Sequence, residues 1–396
     1  MKLFLLVLNN NSIHITHNNI KEQILMKKML AVSTLLILFG FSAAVGQGKF
    51  SGYMFGDYYY NLSRDAGIPS PNIASPAGST AFQAFQMRRI YFAYDNDISE
   101  QFTTRFRVEA DQAANASNGK IGTFVKDAYL KWKNIFSGSD LVFGIQPPPA
   151  YEVSEAAWGY RSLEKTIMDL RGIVSSRDQG ISLHGKITND GMFNYWVMFA
   201  NNSANSPETD KYKRYYAHIH IKPNVNFQGT LYVDYKDAAD ILNSYTKSTV
   251  SNSAVTTALF LGYSEPFSYN IGVEAFLQST SNALKDTSAK SYASKSTMGF
   301  SVFGSYNILP ELAVVARYDN FNPSTDDNGK DPIAVTTAVA NANLSRNYVI
   351  VGLSWKVDKN VSIMPNVLYE TYETPKGGKD INASTTARLT MYYVFL

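Results

Sequence analysis

The sequence has no cysteine, which excludes a disulfide framework and any thiolate chemistry. After Gln47 it has no apolar run approaching the roughly 18–20 residues of a membrane-crossing helix, so helical insertion is excluded for that part of the chain. Glycine-rich phosphate loops and zinc-protease motifs are missing. No serine, histidine and carboxylate stand at a recognisable catalytic spacing, and no strained nucleophile turn is visible. These absences leave no catalytic residue, metal site or cofactor to assign, and nothing points to a nucleic-acid partner. Tryptophan is scarce, with 4 residues against 26 tyrosines and 23 phenylalanines, a high tyrosine load for a soluble enzyme.

One short apolar run does occur, near the start. Met26-Lys27-Lys28 is a basic leader, residues 29–41 are uncharged and apolar, and Ala44 and Gly46 are small residues before Gln47. At 13 residues the run is too short to span a bilayer. Residues 26–46 are therefore expected to be a cleaved secretory signal peptide. Residues 1–25 have no evident role upstream of a complete signal and are read as an extension from a misassigned start, which leaves 47–396 as one domain. Removing residues 1–46 takes four of the 36 basic and one of the 33 acidic residues, so the net charge falls from +3 to zero. Charge selectivity must then come from local placement.

From Gln47 onward the chain delivers alternating segments of about ten residues: 49–61, 85–95, 101–111, 124–133, 140–146, 180–188, 192–200, 213–222, 225–236, 256–264, 268–278, 296–306, 311–319, 346–357, 361–371 and 386–396. In "QFTTRFRVEAD" (101–111), Phe102, Thr104, Phe106, Val108 and Ala110 fall on one face and Arg105, Arg107, Glu109 and Asp111 on the other. Phe193, Tyr195, Val197 and Phe199 form a similar apolar face, as do Phe227, Leu231, Val233 and Tyr235 against Asn226, Gln228, Thr230, Asp234 and Lys236. The connections alternate too. Short turns at 96–99, 134–139, 189–191, 223–224, 265–267, 307–310 and 358–360 are interleaved with long polar links at 62–84, 112–123, 147–179, 201–212, 237–255, 279–295, 320–345 and 372–385.

Short turns on one side and long loops on the other are the layout of an outer-membrane barrel. The sequence thus predicts an all-β fold, a transmembrane antiparallel β-barrel of about 16 strands, with lipid outside and the charges in a watery lumen. Arg88 and Arg89 occupy both faces of one segment; Arg89 is expected inward, because Ile90, Phe92 and Tyr94 form the apolar face. Leu389, Met391, Tyr393 and Phe395 close the chain on an apolar alternation, with Leu396 following.

The link 147–179 is too long and too patterned for a plain loop. Ser154 is a plausible helix N-cap, and "SEAAWGYRSLEKTIMDL" has helical composition with Gly159 as its weak point. Trp158, Tyr160, Leu163, Ile167 and Leu170 argue against disorder. A partly helical loop folded into the lumen to narrow the pore is expected; the alternative is a lid on the outer rim.

Inward basic candidates are Arg89, Arg105, Arg107, Lys131, Lys186, Arg214, Arg317, Lys356 and Arg388, against Glu109, Asp111, Asp127, Asp234, Glu274, Asp319 and Glu370. The loop offers Arg161, Lys165, Arg171 and Arg177 as constriction candidates, among five carboxylates. His218 and His220 share a face with Arg214, and His184 is a further inward candidate; the neighbouring cation and the missing third ligand favour lumen lining over a metal site.

The run "VKDAYLKWK" (125–133), "LVFGIQPPPAYEVSEAAWGYRSLEKTIMDLRGIVSSRDQGISLHGK" (141–186) resembles the phosphate-selective porin O/P family. It has a DAY-type strand, a strand ending in Gly-x-Gln, a proline-rich start to a long loop, and Arg-Asp-x-Gly leading into the next strand. The resemblance implies a sixteen-stranded porin, a homotrimer, with a basic constriction that passes small solutes or inorganic anions such as phosphate. It also implies contact with outer-membrane lipid and lipopolysaccharide. The expected function is passive diffusion across the outer membrane; the alternative is a scaffold, adhesin or hydrolase barrel with an occluded bore. A TonB-dependent transporter is excluded by length, since it needs a plugged barrel of about 22 strands.

Overall fold

The computed structural model describes residues 48–66, 78–111, 119–286, 289–325, 331–332, 344–374 and 379–396. The expected signal peptide and upstream extension lie outside them. Sixteen antiparallel strands form the wall: β1 (Lys49–Ser63), β2 (Gln83–Asp97), β3 (Phe102–Asp111), β4 (Gly122–Phe136), β5 (Ser139–Gln146), β6 (Asp178–Lys186), β7 (Phe193–Ala200), β8 (Arg214–Ile221), β9 (Phe227–Lys236), β10 (Ala254–Glu265), β11 (Tyr269–Asp286), β12 (Ser291–Leu309), β13 (Leu312–Asn322), β14 (Arg346–Asp358), β15 (Val361–Tyr372) and β16 (Ser384–Val394). Each pairs with its neighbours in chain order, and β1 pairs with β16 from Tyr53 opposite Val394 to Ser63 opposite Thr385. Closure satisfies every strand edge, as a chain in lipid requires.

The alternation of the sequence becomes the two surfaces of this wall. On β9, Leu231, Val233 and Tyr235 are exposed outward while Thr230 and Asp234 are buried inward. On β16, Leu389 and Met391 point out, and Arg388 and Thr390 point in and are buried. Phe193, Val197 and Phe199 are also outward; Tyr195 shares their face but reaches across Gly185 to donate its hydroxyl to Ser139 Oγ at 2.8 Å.

Three expectations are corrected. The link 279–295 is not a loop: β11 and β12 run through it as a tall hairpin of 18 and 19 residues. Its polar stretch reads as loop because the part of a hairpin that rises beyond the membrane has no apolar face to show. The wall is lowest at β5, β7 and β8, each 8 residues long, close to the ~9–11 that cross a bilayer.

Arg88 is also inward, together with Arg89. Phe55 pairs with Arg89 and Gly56 with Met87, so Arg88 is the extra residue of a β-bulge, which lets two consecutive side chains share a face. A second bulge places Lys126 beside Asp127, because Arg107 pairs with Asp127 and Val108 with Val125.

The third correction concerns the long loop. Its helix does not run through 154–170. A seven-residue α1 (Glu152–Trp158) ends at Gly159, whose φ of 70° makes the left-handed C-cap, and a four-residue α2 (Ile167–Leu170) follows. Tyr151, not Ser154, is the N-cap position. The Ser154 hydroxyl instead donates to Tyr151 O and Glu274.

Candidate functional site

The segment between β5 and β6 enters the barrel and packs there. Trp158, Leu163, Ile167 and Met168 have no accessible surface. Burial of each is worth roughly 1.5–3 kcal/mol. Two apolar clusters receive them. Ile167, Met168 and Val174 pack with Met198, Tyr216, Tyr232, Phe276 and Phe321. Trp158 and Leu163 pack with Phe260, Phe303, Val315, Ile350, Met364 and Leu368. Where the loop docks, the inner wall of β7 to β15 therefore sets apolar side chains among its charged ones.

Lumenal side chains read the loop's backbone. Arg88 on β2 and Arg388 on β16 donate to Leu163 O, Arg317 on β13 to Lys165 O, Arg214 on β8 to Ile173 O at 3.2 Å, and Asn270 on β11 to Ala157 O at 2.9 Å. Lys126 on β4 reaches Ser176 Oγ at 2.9 Å, and His218 Nδ1 on β8 lies 2.9 Å from Pro149 O. In a sixteen-strand ring β2 and β11 lie across the lumen from one another, so the loop bridges opposite walls. Arg171 adds an ion pair to Glu370 on β15 at 2.8 Å and lies over the Phe321 and Tyr348 rings.

The basic candidates are distributed unequally. Arg89 pairs with Glu109 at 2.7 Å and Asp111 at 3.1 Å, Arg105 with Asp95 at 2.6 Å, and Arg107 with Asp127 at 2.7 Å. Arg214 pairs with Asp234 at 2.8 Å and Arg317 with Asp319 at 2.6 Å. Arg388 donates to Asn366 at 2.9 Å and lies 3.7 Å from Asp57, which also pairs with Arg88 at 2.7 Å. In the loop, Arg161 contacts Glu155 at 2.9 Å and Asp169 at 3.3 Å, Lys165 contacts Asp169 at 3.3 Å, and Arg177 pairs with Asp127. Burial works against the ionised Asp169 carboxyl, but Lys165 and Arg161 outweigh it and hold this acid below its ordinary range. Lys131 is 3.8 Å from Asp140. Lys186 and Lys356, exposed near the short-turn mouth, form no ion pair within 4 Å among the described residues, although Lys186 acts at longer range on the exposed Asp190 carboxylate.

Sequence reasoning missed Asp57, Arg88 and Lys126. The first lies in a tyrosine-rich strand whose faces look alike, and the other two are bulge residues that a strict two-residue period assigns outward. The serine beside His184 is not activated by it: Ser182 donates to Gln146 Oε1 at 2.5 Å.

Two recesses open on the short-turn side of the loop. One, of about 480 Å³, is lined by His184, His218, His220 and Trp196 with Val153 of the loop. The other, of about 520 Å³, lies beneath Gly159–Ser162 against β1, β11, β12 and β14 to β16. No group of three or more metal-ligating side chains occurs among the described residues.

No protein-family model and no curated protein matches this sequence. Solved structures do match. The chain is similar to the outer membrane channel DcaP of Acinetobacter baumannii, with a TM-score of 0.63 and 14% identity over 89% of this chain and 98% of that one. It is similar to OprB of Pseudomonas putida, with a TM-score of 0.58 and 10% identity over 88% and 94%. It is likewise similar to the anion-selective porin from Comamonas acidovorans, with a TM-score of 0.57 and 12% identity over 88% and 100%. At these identities the likeness shows the fold, and the fold is that of outer-membrane porins.

Proposed function

We propose that the protein is an outer-membrane channel for passive diffusion of small solutes, its bore set by the loop between β5 and β6. One arrangement carries this reading: a closed barrel, apolar outside and polar within, whose long loop is fastened inside the lumen by side chains from opposite walls. Lipid and lipopolysaccharide are the surroundings such an exterior fits, and the resemblance to phosphate-selective porins extends the proposal to a homotrimer.

For selectivity we propose a weak anion preference. The arginines of the lumen are held by carboxylates, so their fields are largely cancelled at the distance of a passing ion. Lys186 and Lys356, the lysines without a close ion pair, supply what excess there is, Lys186 in part offset by the nearby Asp190. Phosphate specificity would need several uncommitted cations converging on one point, and the ion pairs do not leave them.

A second reading, an occluded barrel serving as scaffold or adhesin, is favoured by the same anchoring of the loop on opposite walls. Current through purified protein in a planar bilayer separates the two. The channel reading expects a small stable conductance that rises when residues 154–172 are deleted. A silent wild type with a conducting deletion variant would establish the occluded barrel. Unchanged conductance in a well-folded deletion variant would remove the loop from control of the bore.

A further inference from the structure

We propose that the recess beneath Gly159–Ser162 is a binding subsite for neutral polyhydroxylated solutes, sugars and related polyols. It rests on the channel reading for the solute's route through the barrel. The volume, about 520 Å³, lies within the roughly 300–1,000 Å³ of small-molecule sites.

The lining is unlike the rest of the inner wall. Eight serine and asparagine residues line it against three charged ones, so hydrogen bonding here is predominantly neutral. Arg161 is spent on Glu155 and Asp169. Glu265 is engaged at the rim by the Tyr263 hydroxyl at 3.1 Å and Asn226 at 3.2 Å. Lys356 alone remains, and one lysine is a poor anion site where planar, bidentate recognition needs guanidinium groups.

Aromatic rings supply the other half of the chemistry. Tyr53 and Tyr392 stand 5.8 Å apart at 46°, and Tyr160 of the loop faces the recess while its ring packs edge-on against Trp158. A pyranose presents a C–H face to such a ring and hydroxyls around its rim, and tyrosine offers both an apolar body and a polar tip. The rim groups are available. The hydroxyls of Tyr53, Tyr392, Ser354 and Ser362 and the Asn307 amide have no protein hydrogen-bond partner among the described residues. Water or a solute must satisfy them, and a polyol carries donors and acceptors at matching density.

The test is calorimetric titration of the full barrel in detergent with maltotriose and, separately, with inorganic phosphate, beside current recordings with maltotriose added from either side. Saturable maltotriose binding is expected, undisturbed by phosphate and weakened about tenfold by Tyr392→Ala. Tyr392→Phe, which keeps the ring, should lose only part of this. If the alanine variant does not fold, Asn307→Ala on the same recess must weaken binding instead. Maltotriose should block current more strongly from the short-turn side. No saturable binding to the wild type, displacement by phosphate, or unchanged affinity in folded Tyr392→Ala and Asn307→Ala would each overturn the subsite. A conducting barrel that ignores maltotriose would leave the channel reading standing without it; a silent barrel that binds maltotriose would leave the subsite standing without the channel.

Discussion

Arg88 and Arg388, on strands either side of β1, donate to the same backbone oxygen, that of Leu163 in the loop, and share Asp57 on β1 as their carboxylate. The three residues join the seam where the barrel closes to the segment that fills it. Asp57→Asn would leave two guanidinium groups close together without their shared anion. We expect a loss of about 3–5 kcal/mol, the cost of breaking a buried pair, measured by urea titration of refolded protein. Stability equal to wild type would show that the loop, and not the carboxylate, fixes both arginines.

Adjacent residues on β14 test the two faces. Leu353 is 41% exposed on the outer surface, while Ser354 faces the lumen recess. Leu353→Lys is expected to cost ~2–4 kcal/mol if it sits near the bilayer midplane, and Ser354→Lys close to nothing. Refolding titrations in lipid vesicles measure both, and equal losses would reject the face assignment.

Ion selectivity should follow the lysines that make no close ion pair. In a KCl gradient, Lys186→Glu with Lys356→Glu is expected to move the zero-current potential toward the cation side. Arg105→Glu should have less effect, because that arginine already pairs with Asp95 through two contacts of 2.6 and 2.9 Å. A larger shift from Arg105→Glu, or a wild type that already prefers cations, would reverse the assignment.

The loop should loosen in acid. The Asp169 carboxyl is held below its ordinary range, with Lys165 and Arg161 outweighing burial, so its folded pKa is depressed. Such a group stabilises fully above its unfolded pKa of about 3.9, and the contribution is lost as pH falls through the folded value. Conductance noise from loop motion is expected to grow as pH falls below the ordinary aspartate range. Asp169→Asn should show that noise already at pH 7; a quiet Asp169→Asn channel at both pH values would assign acid sensitivity elsewhere.

Much of this architecture is local and was therefore legible. Period-two alternation needs no partner strand to be recognised, and neither does the interleaving of short turns with long links. From them came the sixteen strands, the outward faces of Leu231 and Leu389, and the inward Glu109, Asp127 and Asp319; the lumenal loop was legible from the length and apolar content of 147–179. Even Gly159 was marked as the weak point of the helix it ends.

Tertiary structure decided what depends on two strands at once. The bulges that turn Arg88 and Lys126 inward are properties of register, visible only when β1 lies beside β2 and β3 beside β4. The tall β11–β12 hairpin arises from pairing between polar segments that read singly as loop. The partners of the arginines were hidden for a further reason: several are backbone oxygens of the loop, at Leu163, Lys165 and Ile173, and a carbonyl acceptor is present at every residue and leaves no mark in sequence. A row of inward arginines therefore reads alike whether it attracts anions or holds a loop, and only the fold, by bringing carboxylates and carbonyls within hydrogen-bonding distance of each guanidinium, separates the two.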